Sequence, residues 1–253
     1  MSYYFFYTKG EIIIIRSELI MATKVDLKKI KKELFNVKVG QFKKVYCDKS
    51  YYIALDGEGD PNNNEDYSNK VGALYKLAYG VKMVYKKEEK DFVVMPLNGL
   101  WWSDNYDDFI DNYKEGWKWT MMIELPDFVK QENIEKKKEE LLKDELGKYI
   151  KEIRYMEYTE GDAYETLYVG PYSEEGEVVK MLHNTIKENG YKLSGKHNEI
   201  YLSDPRKTEP SKLKTIIKTK KKKLIWLTIV IVLKVLAEEL FFIILKIKNI
   251  IYI

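Results

Sequence analysis

The sequence predicts an α+β fold in which one β-α-β-β module occurs twice. Prolines mark the repeat, because Pro61 and Pro96 lie 35 residues apart and Pro171 and Pro205 lie 34 residues apart. Each interval holds a segment with an apolar face at helical spacing, next to segments that alternate as strands do. Two such modules are expected to form an antiparallel sheet with helices on one face. A central cleft at their pseudo-twofold seam would be a common place for a ligand pocket.

The first module is predicted over residues 43–125. Its strands are expected at 51–57, 91–97 and 118–125, and its helix at 65–85. Apolar residues recur at helical spacing within this helix: Leu74, Leu77, Ala78 and Val81. The preceding segment DGEGDP fits neither a phosphate loop nor a calcium loop, so its polar residues are interpreted as turn residues and helix caps.

The second module is predicted over residues 151–219. Its strands are expected at 164–170, 199–205 and 212–219, and its helix at 174–189. A mostly polar segment at 131–146 is predicted to be a helix that links the modules. Together the two modules and this linker account for most of a predicted domain at 21–220.

Both ends of the chain differ from that domain. Residues 1–20 are interpreted as an upstream extension, with an edge strand as the alternative, because their apolar run is too short to span a bilayer. Residues 221–253 begin with lysines and continue as a long apolar stretch that charged residues interrupt. Three interpretations stay open for this segment: a single-pass membrane anchor, a helix in the membrane interface, and an extension past the natural end of the domain.

Composition excludes several classes of protein. The net charge is +3, but residues 221–253 contribute +4 and residues 1–20 are balanced, which leaves −1 for residues 21–220. A faintly acidic body lacks the basic surface that phosphate backbones require, so no nucleic acid partner is expected. One Cys and two His are too few for a disulfide framework and for most zinc sites. We therefore expect a cytoplasmic protein with no metal and no cofactor.

Glu199 is the candidate key residue. As part of a strand, Glu199, Tyr201 and Ser203 share one face, and Ile200 and Leu202 share the other. An uncompensated buried charge is costly, so a Glu in the middle of a strand faces either water or a site. The aromatic residues elsewhere in the chain favour a site, suited to a flat, apolar and cationic compound.

Those aromatic residues come from two other segments. Four Trp fall within the nineteen positions from Trp101 to Trp119, more than a small core usually requires, although filling the core is the alternative. Ligand-binding roles are predicted for Trp101, Trp102, Trp119, Met122, Tyr168 and, at the pocket rim, Glu58. Tyr201 and Tyr172 are the candidate hydrogen-bond donors for catalysis beside the carboxylate. His197 flanks the same strand and is a weaker candidate for a proton carrier.

Four motifs in order resemble the GyrI-like small-molecule-binding proteins, which are related to effector-binding domains of multidrug-responsive regulators: NGLWW, WKWTMMIELP, VGPYSEEG and GKHNEIYLSDPRKTEPSKLKTIIK. The resemblance covers about residues 24–219 and implies two β-α-β-β modules around a central cleft. It implies that an acidic residue in the cleft, at the position of Glu199, contacts cationic, aromatic or lipophilic compounds. For stand-alone members it implies hydrolysis of strained cyclopropane-containing toxins. The regulators' helix-turn-helix domain has no counterpart in this sequence.

Two hypotheses about function follow. As a binding protein, the chain would hold a planar cation by stacking on Trp101, Trp102 or Trp119 and by pairing with Glu199. As a hydrolase, it would use a Glu199 whose pKa the aromatic walls raise, with a tyrosine donating a hydrogen bond to the substrate.

Overall fold

The computed structural model describes residues 3–8, 11–16, 24–62, 64–103 and 116–223, together with positions 233, 234, 236, 238–240 and 243. Their strands are β1 Tyr3–Thr8, β2 Glu11–Arg16, β3 Lys43–Cys47, β4 Ser50–Glu58, β5 Leu97–Trp102, β6 Lys118–Leu125, β7 Arg154–Tyr158, β8 Gly161–Val169, β9 Tyr191–Tyr201 and β10 Lys214–Lys223. Their α-helices are α1 Leu27–Ile30, α2 Lys32–Phe35, α3 Glu65–Lys87, α4 Gln131–Leu141, α5 Gly147–Glu152 and α6 Gly176–Glu188. Two 3-10 turns lie at Tyr172–Glu174 and Pro210–Lys212.

Eight strands form one antiparallel sheet in the order β3-β8-β10-β9-β5-β6-β4-β7. The counterparts in the two modules are β3 and β7, β4 and β8, β5 and β9, and β6 and β10. When each strand is exchanged with its counterpart, the same order results, read from the other edge of the sheet. A pseudo-twofold axis therefore passes between the central strands β5 and β9, which confirms the predicted duplication. The leading strand of each module, β3 or β7, pairs at the outer edge of the other module. This exchange of edge strands was not predicted.

Some predicted element boundaries differ from the observed ones. Residues 91–96, predicted as most of a strand, form only an isolated bridge between Phe92 and Val25. The strand itself begins after Pro96, a residue that has no N–H to donate to a sheet. In the second module, β9 runs over Tyr191–Tyr201 and ends before Asp204, so the predicted strand at 199–205 began and ended too late.

The larger helices lie on one face of the sheet, as predicted. Helix α3 begins at its cap Asn64, whose side chain accepts a hydrogen bond from the Tyr67 N–H. It buries an apolar stripe against β4, β5 and β6, in the same cluster as residues of α4 and α5. Helix α6 packs on β8 and β10 through Leu182 and Ile186. The opposite face is covered by the N-terminal segment, where Val37 packs on strand residues of the second module.

The terminal segments are described in part. Strands β1 and β2 pair with each other and form a separate two-stranded sheet. Strand β10 continues to Lys223, so the fold extends three residues past the predicted boundary at 220. Most of the predicted membrane-associated segment 221–253 lies outside the described residues. Across the part of the chain that the structure describes, no helix is both long enough and apolar enough to cross a bilayer.

One difference between the two modules is a buried pair of residues on the face opposite the larger helices. In the first module Ala54 of β4 pairs with Met122 of β6, and at the matching positions Glu165 of β8 pairs with Lys218 of β10. Lys218 Nζ lies 3.7 Å from the Glu165 carboxylate, too far for a hydrogen bond. Burial raises the pKa of Glu165 to about 7, against the opposing effect of Lys218.

Replacing this ion pair by the first module's residues, Glu165→Ala with Lys218→Met, is expected to raise the free energy of unfolding at pH 8. The expected gain is about 1–4 kcal/mol, because a buried ion pair without good hydrogen bonds recovers little of its desolvation cost. Urea denaturation measures this change. Lys218→Met alone is the control and should destabilise, because it leaves a buried carboxyl group without its partner.

The pH dependence provides a second readout. Since the pKa of Glu165 rises from 4.5 to about 7 on folding, the folded chain binds the extra proton. The wild-type free energy of unfolding should therefore fall as the pH rises through this interval, and the double variant should lack this slope. A double variant less stable than wild type at pH 8 would contradict the prediction.

Candidate functional site

Glu199 lies in the middle of β9, at the seam between the two modules. Its partner across the seam is Gly99 of β5, so the pseudo-twofold axis passes through this pair. The Glu199 side chain projects from the face that α3 and α6 cover, together with those of Trp101 and Met121 on neighbouring strands. Only 6% of Glu199 is exposed. A carboxylate is thus buried at the centre of the sheet.

The missing side chain of Gly99 makes room for the side chains that pack beside Glu199. A Cβ atom there would lie 2.7 Å from Trp101 Nε1, 2.8 Å from Met121 Cε and 3.1 Å from the Tyr201 hydroxyl oxygen. In the space above Gly99, the Trp101 indole N–H donates a hydrogen bond to the Tyr201 hydroxyl at 2.9 Å. This bond fixes an aromatic ring from each module beside Glu199.

Hydrogen bonds compensate the burial of the carboxylate. His197 Nε2 lies 2.9 Å from Glu199 Oε1, because residues two apart on a strand share a face. Tyr201 and Glu175 also form hydrogen bonds with the Glu199 carboxyl group. Burial opposes ionisation, but these hydrogen bonds hold the pKa of Glu199 below its ordinary value of 4.5. The structure therefore contradicts the raised pKa that the sequence predicted, and Glu199 is an anion at neutral pH.

Aromatic rings from both modules surround this anion. The Tyr67 ring of α3 lies 6.4 Å from the Trp101 ring, between centroids. The Trp117 ring, just before β6, lies 5.6 Å from the Trp101 ring, between centroids, and meets it edge to face. On the second module's side, the Tyr172 ring lies 5.6 Å from the Tyr201 ring at 80°. These rings and the Glu199 carboxylate together make up the candidate site.

Tyr172 is held at the edge of this site by the turn that precedes α6. The Tyr168 hydroxyl donates a hydrogen bond to the Pro171 carbonyl oxygen at 2.9 Å, which fixes the backbone just before Tyr172. Burial and the negative charges of Glu199 and Glu175 raise the pKa of Tyr172 to about 12. Its phenol therefore stays protonated and can donate a hydrogen bond, although 36% of the residue is exposed.

The other predicted ligand-binding residues lie away from the carboxylate. Trp119 and Tyr168 share the face of Glu199 but are packed into the core, under α3 and α6 respectively. Trp102, Met122 and Glu58 belong to the opposite face of the sheet, which contradicts their predicted place in the cleft. The reason is the two-residue period of a strand, which sends the neighbours of Trp101 and Met121 to the other side.

Sequence reasoning missed three residues of the site: Gly99, Tyr67 and Glu175. A signal for Gly99 was present, because NGLW at 98–101 aligns with NEIY at 198–201 and sets Gly99 opposite Glu199. Tyr67 and Glu175 stand at the starts of the two long helices of the modules, where no local pattern distinguishes them. Only the packing of α3 and α6 over the seam brings them close to Glu199.

The site is not arranged for a metal ion. Among the residues that the structure describes, no three His, Cys, Asp or Glu side chains converge as metal ligands. Cys47 lies on the opposite face of the sheet, where its Sγ is 3.5 Å from Lys218 Nζ. The chemistry that the cleft offers is that of a carboxylate, an imidazole, phenols and aromatic surface.

Comparisons with known proteins agree with this architecture. Residues 41–220 match the family described as the GyrI-like small molecule binding domain. A crystal structure of an uncharacterized conserved protein from Listeria innocua is 35% identical, with a TM-score of 0.72 over 79% of this chain and 100% of that one. Two structures described as a hydrolase from the same organism are each 33% identical over the same shares, with TM-scores of 0.68 and 0.70. No protein of curated function matched. The chain belongs to the GyrI-like small-molecule-binding family.

Proposed function

We propose that the protein binds planar aromatic, lipophilic or cationic small molecules in the cleft above Glu199. The observation that carries this proposal is the Glu199 carboxylate, which is buried at the module seam beside rings from both modules and lies 2.9 Å from His197 Nε2. Water and salt screen a buried charge weakly, so this anion attracts a bound organic cation more strongly than a surface carboxylate would. The rings supply apolar contact for the body of the same compound.

The rim of the cleft supports stacking. Tyr67, Trp117 and Tyr172 are partly exposed, so their rings offer flat apolar surface together with polar tips. A cationic group over such a ring gains about 0.5–2 kcal/mol, depending on how far it is removed from water. Stacking and charge pairing together select compounds that are both flat and positively charged.

Hydrolysis of a strained electrophile, such as a cyclopropane-containing toxin, is the second candidate function. The observation that favours it is the pairing of His197 Nε2 with Glu199 Oε1 at 2.9 Å, because a carboxylate oriented by an imidazole is suited to accepting a proton. Two relatives at 33% identity are described as hydrolases. An ionised Glu199 would act as a general base and not as the general acid that a raised pKa would give.

In that reaction Glu199 would take a proton from a water molecule while the water oxygen bonds to a cyclopropane carbon. The C–C bond between the attacked carbon and the ring carbon joined to the conjugated carbonyl system breaks, and its electron pair moves into that system, whose carbonyl oxygen becomes an enolate or phenolate oxygen. Tyr172, which stays protonated, could donate a hydrogen bond to that oxygen. Binding and hydrolysis thus use one cleft and differ in whether water attacks.

Glu199→Gln is expected to weaken binding of ethidium, a planar aromatic cation, by about 30-fold, which is about 2 kcal/mol for loss of a buried charge pair. Fluorescence titration measures the affinity. Glu58→Gln is the matched control, because that carboxylate is exposed on the opposite face, and it should bind as wild type does. Equal affinity of Glu199→Gln and wild type would refute pairing with Glu199.

The affinity of ethidium should also depend on pH with a known sign. Because the pKa of Glu199 is lowered below 4.5, the carboxylate stays charged down to that pH. The contribution of Glu199 to ethidium affinity should stay constant from pH 7 down to about pH 5. It should fall only as the pH drops through the lowered pKa of Glu199.

For hydrolysis, an electrophilic spirocyclopropane is the substrate, and product is followed by mass spectrometry. Glu199→Gln should lower the rate by about 10²–10⁴-fold, the usual contribution of a general base. Glu58→Gln should leave the rate unchanged. Wild-type protein that binds ethidium but does not accelerate ring opening would eliminate hydrolysis of this compound class and leave the binding function standing.

A further inference from the structure

The two modules present opposite chemistry to the helices that cover them. The pseudo-twofold axis relates positions of the helix-facing surface in pairs, first module before second: Ile53 and Tyr164, Leu55 and Thr166, Leu97 and His197, Trp119 and Thr215, Met121 and Ile217, Ile123 and Thr219. Every residue of the first set is apolar, whereas the second set is mostly polar. One module offers an apolar wall and the other offers hydrogen-bonding groups.

Several of those polar groups are buried without a partner. The hydroxyl oxygens of Thr166, Thr215 and Thr219 and the Nε2 atom of His183 form no hydrogen bond with any residue that the structure describes. The three threonines are each at most 4% exposed. Buried polar groups are nearly always paired, so a cluster of unpaired ones beneath α6 indicates a place where another molecule supplies the bonds.

The cluster adjoins Glu199. Ile217 of β10 is the direct neighbour of Glu199, and Thr215 and Thr219 stand on either side of Ile217 on the same face. Thr215 neighbours Tyr201, and Thr219 neighbours His197. Diagonal neighbours on one face of a sheet lie roughly 7–8 Å apart, so each threonine is close to Glu199.

The chemistry of the cluster is neutral. Burial, with a smaller effect of His197, lowers the pKa of His183 to about 4, so its imidazole carries no charge at neutral pH. Threonine hydroxyls can donate or accept a hydrogen bond and carry no charge. Such groups recognise a neutral polar group, while the charged part of a ligand is served by Glu199.

Helix α6 can yield more easily than α3 to admit such a group. Helix α3 buries six of its residues against the sheet and its neighbouring helices, whereas the shorter α6 buries two. An element with few buried apolar contacts over unpaired polar groups opens at lower free energy than a well-packed one. The polar wall therefore lies under the helix that can move more easily to admit a ligand group, which is α6.

We infer that the ligands of this cleft carry a neutral hydrogen-bonding group, such as a hydroxyl or a carbonyl, beside their aromatic body. The Thr215 hydroxyl beside Tyr201 or the Thr219 hydroxyl beside His197 binds that group beneath α6; the two threonines lie about 13 Å apart along β10, so one group reaches one of them. This inference rests on the proposed function and specifies the ligand class and its orientation. The aromatic body lies toward the first module, against Trp101 and Tyr67, and the polar group lies toward the second.

The test compares 9-anthracenemethanol with 9-methylanthracene, which lacks the hydroxyl group, by fluorescence titration. Wild-type protein should prefer the alcohol by about tenfold, the effect of one or two buried hydrogen bonds. The double variant Thr215→Val with Thr219→Val keeps the side-chain shape, removes both hydroxyls and should bind the two compounds equally. Its midpoint of thermal unfolding without ligand should rise, because buried unpaired hydroxyls destabilise the folded state.

Thr120→Val is the matched control. Thr120 is also a buried strand threonine, but it faces the opposite side of the sheet, and its hydroxyl donates a hydrogen bond to Asp56 at 2.6 Å. This variant should be less stable than wild type and should keep the preference for the alcohol. If the double variant instead has a lower unfolding midpoint than wild type, the Thr215 and Thr219 hydroxyls form hydrogen bonds within the wild-type protein. That result would overturn the inference.

The remaining outcomes separate this inference from the proposed function. If wild type binds both compounds equally, or if the double variant keeps the preference, the inference is overturned and binding in the cleft stands. If wild type binds neither anthracene nor ethidium, the proposed function is overturned and the inference with it.

Discussion

The site depends on one constraint, which is that a carboxylate buried at the centre of a sheet must stay ionised. Glu199 meets it with hydrogen bonds from its own strand and from the turn that begins α6, and these outweigh the effect of burial. The charge at the floor of the cleft is therefore fixed by groups brought together only when both strand and helix are in place.

Duplication provides the scaffold, and divergence provides the site. In a symmetric sheet, two identical residues would face each other across the β5–β9 seam, and two carboxylates so close would repel and could not both ionise. Gly99 resolves this conflict, because it leaves one carboxylate and makes room for the hydrogen bond between Trp101 and Tyr201. The asymmetry at the axis is thus a condition for an anionic site in this fold.

Sequence reasoning predicted the parts that depend on local periodicity. The duplication, the helices and the shared face of Glu199 and Tyr201 follow from spacings of two and of about 3.6 residues along the chain. The same period of two, applied strictly, would have separated Trp101 from Trp102 and Met121 from Met122, and so would have removed two wrong assignments. The lowered pKa of Glu199 was not predictable in this way, since Glu175 lies 24 positions away in the sequence and approaches only through the packing of α6.

The contrast between the two modules also explains why the fold can hold an unsatisfied polar wall at all. The first module is packed as an ordinary core, with α3 sealed over Leu55, Trp119 and Met121. That half holds the larger apolar cluster, and burial of large apolar side chains is the main favourable term in folding. The second half contributes less apolar burial, so it can keep polar groups that would be disfavoured in a core at positions where they contact a ligand. A symmetric protein with two polar modules would lack the first half's contribution, so the division of labour follows from the energetics of the sheet.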